Sequence, residues 1–241
     1  GLPANFRKAA EKKTIELTEI EGCSMIKGLE AAGFGIPFSA FKGPKGSDIV
    51  NEAPELYKTV SCPFTGQELT AIQAIVPDVG IIHAQRADEQ GNVQIYGTSG
   101  SDIDIAMAAK KVIVTVEEII SSDQIREDKS ATKLFRSEVD MVIHVPFGAS
   151  PCSSVPYYTA HLMQMMKDVQ GLNPKTAAEY AADMVGANEE EYWAKAGGEE
   201  AQNKLKSLAL QTKAIDRPAE ITEEKTDDFT VAEQMVVALA N

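Results

Sequence analysis

Residues 101–120, SDIDIAMAAKKVIVTVEEII, decide the class of fold. Ser101 or Asp102 can cap a helix running to about Lys110, because a short side-chain oxygen there accepts from the first free backbone N–H groups. VIVTV (112–116) follows, β-branched and without polar alternation, which is the pattern of a strand covered on both faces. A helix that hands over directly to such a strand is a building unit of a helix-flanked sheet.

The same order recurs upstream. ANFRKAAEKK (4–13) reads as a short helix with Asn5 as a possible N-cap, and TIELTEI (14–20) alternates apolar and polar residues as a half-buried strand does. SMIKGLEAAGF (24–34) has Ser24 at its start, helical spacing of Met25, Ile26, Leu29 and Ala32, and Gly33 near its end, before the extended GIPFSAF. Downstream, VDMVIHV (139–145) reads as another strand covered on both faces. IIHAQRADEQGNVQIYG (81–97) supplies an antiparallel hairpin, with Gly91 and Asn92 where positive φ is easiest and Asp88 placed to bond forward to turn amides. From Tyr157 onward the pattern turns helical through YTAHLMQMMKDV, PKTAAEYAADMV and EEEYWAKAGGEEAQNKLKSLALQ, the last interrupted at Gly197 and Gly198. The fold expected is α/β: a mainly parallel, mixed sheet flanked by helices, with an antiparallel hairpin and a helical C-terminal part.

The chain has 241 residues, enough for a sizeable core. Its 36 acidic and 23 basic residues leave a formal charge of −13, with no Lys/Arg-rich run to track phosphates, so nucleic acid is not an expected partner. Cys23, Cys62 and Cys152 lie far apart, without zinc spacing or a disulfide framework, which fits a reducing cytoplasm. No apolar run approaches the roughly 20 residues that span a bilayer, and no membrane association is expected. The acidic stretch DRPAEITEEKTDD (216–228) has linker composition, and FTVAEQMVVALAN (229–241) reads as an amphipathic helix beyond it. The loop-like GLPANFR start, with no strand ahead of it, leads us to expect a true beginning upstream of Gly1.

Candidate chemistry is sparse. His83, Gln85 and Arg86 are polar groups in an otherwise apolar strand and must find partners or face a cavity; a structural role is the first reading and ligand contact the alternative. FKGPKGSDIV (41–50) is a Gly-rich loop after a strand, able to offer backbone N–H groups to a ligand, though it matches neither phosphate-binding fingerprint. Glu117 and Glu118 could do acid–base work, but EEII leading into SSDQIRED favours a solvated helix start. His144 and His161 have no second ligand at i+4, and no metal is expected. PFGASPCSSVPYY (146–158) lies after a strand end, where α/β folds place ligands. Cys152 or Ser153 there would need a base that the sequence does not identify.

NFRKAAE, CPFTGQEL, PDVGIIHAQRADEQGNVQIYG, DIDIAMAAKKVIVTVEEII and PFGASP, taken in this order, resemble the A (α) subunits of family I coenzyme A transferases of the glutaconate CoA-transferase kind. The resemblance runs from about residue 1 to about residue 215, an A-subunit-like domain without the βα segment and Gly-Gly-Phe type turn that opens family members. Residues 229–241 resemble instead the first helix of a B (β) subunit, with 216–228 as the joining linker of a fused polypeptide. The resemblance implies an enzyme that moves CoA between an acyl-CoA and a free carboxylic acid. A glutamate of the B half would carry the acyl anhydride and glutamyl-CoA thioester, so no catalytic residue is assigned in this chain. Coenzyme A enters as part of the substrate, no cofactor is bound, and a hetero-oligomer with the B-like half is implied. By matching position, Gly1, Asn5, Arg7, Gly46, Ser47 and Gln85 are the expected substrate-binding residues. Hydrolysis or decarboxylation of CoA thioesters on the same scaffold is the alternative, and a non-catalytic binding role is another.

Overall fold

The computed structural model describes residues 4–44, 46–171, 179, 182 and 187–215. Gly1, the linker 216–228 and the segment 229–241 lie outside them, as does most of PKTAAEYAADMV. Helix α1 (Ala4–Glu11) leads to α2 (Gly22–Gly33), β1 (Phe38–Phe41), α3 (Ile49–Glu52), β2 (Tyr57–Ser61) and β3 (Glu68–Gln73). Then come β4 (Gly80–Ala87), β5 (Val93–Gln94), α4 (Asp102–Ala108), β6 (Val112–Ile119), α5 (Ser122–Glu127), β7 (Thr132–Leu134) and β8 (Met141–His144). After these come α6 (Leu162–Gly171), α7 (Glu189–Ala196) and α8 (Gly198–Ile215) among the described residues.

The main sheet has the order β7-β5-β4-β6-β8. Strands β4, β6 and β8 run parallel, and β5 is antiparallel to both β4 and β7, so the sheet is mixed as expected. Val112, Val114 and Val116 of β6 join Ile82, Ala84, Val93, Ile95, Ala106 and Leu134 in one apolar core. These three valines share one face; Ile113 and Thr115 on the other are only partly buried, so β6 is fully covered along this stretch on one face and not on both as the unbroken β-branched run suggested. The hairpin turn forms with Gly91, though not Asn92, at positive φ, and Asp88 bonds forward as read: it accepts from the backbone N–H of Asn92 at 2.8 Å and of Gln90 at 3.1 Å, from the Asn92 amide at 2.8 Å, and from the Ser122 hydroxyl at 2.7 Å. Burial works to raise the Asp88 carboxyl, but these donors outweigh it and hold it below its ordinary value. A second, antiparallel sheet of order β1-β3-β2 packs its own small core around Ala53, Tyr57 and Ile72.

Four further local expectations need correction. Residues 14–20 form no strand, because alternation makes a strand only where a neighbour supplies a ladder; here the Thr14 N–H turns back to the Ala9 carbonyl at the end of α1. Asn5 lies inside α1, which is already helical at Ala4. Helix α2 begins two residues before Ser24, and its N-cap is Glu21, whose carboxylate accepts from the Cys23 and Ser24 amides, each at 2.8 Å. Those two amides lower the Glu21 carboxyl from its ordinary value. Finally, β8 is a sheet edge with mostly exposed side chains, so it is not covered on both faces.

The helical C-terminal part folds onto the strand ends. Gly197, at φ +108, separates α7 from α8, a backbone state that costs a glycine little. Trp193, Ala196 and Leu205 pack with Phe147 and Tyr158, and the Phe147 ring stacks on Tyr158 at 4.5 Å and meets Trp193 edge-on at 4.9 Å. No helix among the described residues is long and apolar enough to cross a membrane.

Candidate functional site

Strand β6 does not end at Val116 but continues through Ile119. Glu117 and Glu118 are therefore strand residues, not a solvated helix start, and the pleat sends them to opposite faces. The parallel register pairs His83 with Thr115 and Arg86 with Glu118, so β4 sets a second row of polar groups beside them.

Glu117 is the centre of the first group, its side chain only 3% exposed. Its Oε1 accepts from the Tyr158 hydroxyl at 2.7 Å and lies 2.5 Å from His83 Nε2, while Oε2 accepts from the Phe147 backbone N–H at 2.7 Å. The other His83 nitrogen, Nδ1, lies 2.8 Å from the Thr115 hydroxyl. A buried carboxylate is tolerable only when donors replace its water, and these three do so. Burial first, and the Glu117 carboxylate second, push the Tyr158 phenol far above its ordinary value. Phe147 and Tyr158 are the near and far ends of the loop 146–158, so one carboxylate fastens both ends of that loop to β6. Gly148 completes the closure: a Cβ there would come within 2.6 Å of the His83 ring, so the backbone rests directly on the imidazole.

The second group lies on the other face. Arg86 Nε donates to the Tyr157 hydroxyl at 2.8 Å and stands 3.1 Å from Glu118 Oε2, to which Tyr157 donates at 2.6 Å. Burial and then the Glu118 hydrogen bond push the Tyr157 phenol up to about 12. Beside both groups, between the loop and α8, opens a cleft of about 370 Å³ lined by Pro146, Phe147, Pro156, Tyr157, Lys206 and Leu210 together with Glu117 and Tyr158. With its two oxygens engaged, Glu117 is placed to anchor the wall of this cleft and not to attack a ligand.

The residues singled out from the sequence are not gathered into one place. Gly46 and Ser47 line a separate polar cavity of about 310 Å³ with Asp48, Asn51 and Glu68. Gly46 has φ +87, and the Ser47 hydroxyl accepts from the Ile49 N–H at 3.2 Å. Arg7 is exposed on α1 and faces Glu11 one turn on, at 3.8 Å. Asn5 is helical, and Gly1 is outside the described residues. Gln85 is buried and bridges backbone groups, donating to the Val155 carbonyl at 3.1 Å and accepting from the Tyr96 N–H at 3.0 Å. Glu117 was read as solvated and is buried; Tyr157, Tyr158 and Lys206 were missed. The available signal was the β-branched run of β6, which has no breaker before Ile119. Among the described residues, no group of His, Cys, Asp and Glu is arranged to hold a metal ion.

Residues 2–139 match the family model described as coenzyme A transferase. The chain is 37% identical over 161 residues to the A (α) subunit of 3-oxoadipate CoA-transferase from Pseudomonas knackmussii, a match covering 66% of this chain and 56% of that protein. The chain therefore spans little more than half the length of this curated relative. Among solved structures, glutaconate coenzyme A-transferase of Acidaminococcus fermentans superposes with a TM-score of 0.76 at 28% identity, covering 84% of this chain and 69% of that one. The decarboxylase AibA/AibB superposes with a TM-score of 0.66 at 28% identity, covering 75% and 65%.

Proposed function

The chain belongs to the coenzyme A transferase family, and from that premise we propose that it is the A-like part of an enzyme that moves CoA from an acyl-CoA to a free carboxylic acid. The observation that carries this reading is the match over residues 2–139, which takes in the β4–β5 hairpin and all of β6. A glutamate carboxylate on the B-like half attacks the thioester carbonyl, expelling the CoA thiolate and leaving an acyl-glutamyl anhydride. The thiolate then attacks the glutamyl carbonyl, releasing the first acid and forming a glutamyl-CoA thioester, and the incoming acid reverses both steps. Covalent catalysis of this kind divides one acyl transfer into easier ones.

The A-like part supplies shape and donors. Gly46 and Ser47, in their polar cavity, are the first residues proposed to face substrate. Gly1, Asn5 and Arg7 join them from the start of the chain, Arg7 by exchanging Glu11 for a substrate carboxylate. Gln85 is the sixth residue proposed to bind substrate, its amide nitrogen donating to the Val155 carbonyl. The partner is a B-like half, either a separate chain or the domain to which residues 229–241 belong, and the assembly is a cytoplasmic hetero-oligomer.

The test is CoA exchange between a labelled acid and a panel of acyl-CoA thioesters, with the B-like half present. Label appearing in acyl-CoA supports the proposal, and thioester loss without label transfer would refute it. The likeness to AibA/AibB favours a second reading, decarboxylation of a CoA thioester, for which the same assay would show carbon dioxide release instead.

A further inference from the structure

We propose that the cleft between loop 146–158 and α8 is a binding site for a small organic carboxylate, held at Lys206, and that it is separate from the cavity at Gly46 and Ser47. The two cavities share no lining residue.

Three observations carry this. First, the walls are fixed in advance. Glu117 ties down Phe147 and Tyr158, Arg86 and Glu118 hold the Tyr157 hydroxyl, and the Phe147 ring stacks on Tyr158 and meets Trp193 edge-on. A ligand entering such a site does not bear the cost of ordering its walls. Second, the charged side chains beside the cleft are engaged by protein partners except one. Glu117 faces His83, and Glu118 faces Arg86. Lys206 sits with Nζ 5.0 Å from the Phe147 ring centre and pairs with no carboxylate among the described residues. Third, the lining is mainly aromatic, prolyl and aliphatic, with Lys206 its one cation and Glu117 its one carboxylate, both oxygens of which are already held by protein donors, in a volume suited to a molecule of several carbons. One ammonium above an apolar wall suits a monoanion with a hydrocarbon body. Phosphate would call for an arginine fork or a nest of backbone N–H groups, and the backbone N–H groups of Phe147, Gly148, Ala149, Ser150 and Cys152 are all spent within the protein.

The test is calorimetric or ligand-observed NMR titration of the whole chain with hexanoate, with hexanol and inorganic phosphate as comparison probes. Saturable binding of hexanoate, about fivefold or more above hexanol, is expected, with the same loss in Lys206→Gln and retention in Lys206→Arg. Leu210→Trp, at a mostly exposed position, should narrow the cleft and weaken hexanoate while leaving the fold intact. Equal binding of hexanol, preference for phosphate, indifference to Lys206→Gln, or no saturable binding would each overturn the proposal. The titration needs neither the B-like half nor turnover, so its outcome is independent of the exchange assay.

Discussion

Glu117 and Glu118 are neighbours in one strand, and each receives the hydroxyl of one of two neighbouring tyrosines, Tyr158 and Tyr157. On one face, Glu117 is sealed under a loop and held by a phenol, an imidazole and a backbone N–H. On the other, Glu118 is 44% exposed, with a half-exposed arginine opposite. The chemistry of the donors is similar, but the solvent is not. Where water is shut out, each hydrogen bond replaces one that cannot otherwise be made; where water has access, the same contact is exchanged for hydration at little net gain.

This contrast can be broken most severely at Glu117. Glu117→Ala leaves the Tyr158 hydroxyl, the Phe147 N–H and the His83 ring facing an empty site, and we expect a loss of about 3–5 kcal/mol in urea unfolding. Next is Gly148→Ala, whose methyl would strike the His83 ring at 2.6 Å; about 1–3 kcal/mol should be lost, together with the ordinary NMR signature of the imidazole. A comparable loss from a methyl at an exposed glycine such as Gly22, where nothing lies within 4 Å, would refute the close-contact explanation. On the open face, Glu118→Gln should cost less than about 1 kcal/mol, shrinking further in high salt. If it matched Glu117→Ala, burial would not be what separates the pair.

The smallest effect is spectroscopic. The Tyr157 phenol is raised to about 12 from an ordinary 10.0, so its contribution to stability is fully present below pH 10 and fades as the pH climbs toward 12. In Glu118→Gln the tyrosinate absorbance should appear at lower pH, since one of the causes raising it is removed, yet it should stay above the ordinary value because burial, the larger cause, remains. An unchanged titration curve would place Tyr157 outside Glu118's influence.

Much of the fold was legible because local pattern and long-range packing agreed. The β-branched run of β6, the turn residues around Asp88 and the glycine break before α8 each have one comfortable conformation, and each adopts it. The failures came where a pattern had two readings. Residues 14–20 alternate like a strand but meet no neighbour, and VDMVIHV is apolar enough for a central strand yet occupies an edge. For the candidate site, less was legible. Glu117 and Glu118 were visible as a pair, but charge before a serine-rich segment suggests solvent. Tyr157, Tyr158 and Lys206 lie 39 to 89 positions further along the chain, and nothing local marks them as partners of β6.

What the sequence determined by itself was the class of fold, because periodicity, β-branching and turn chemistry act between residues close in the chain; the family came from the resemblance of five segments in order. What only the tertiary structure decided was which carboxylate is buried, which loop it fastens and where the clefts open. Those depend on which strand lies beside which, and on how much water the finished packing excludes from each side chain.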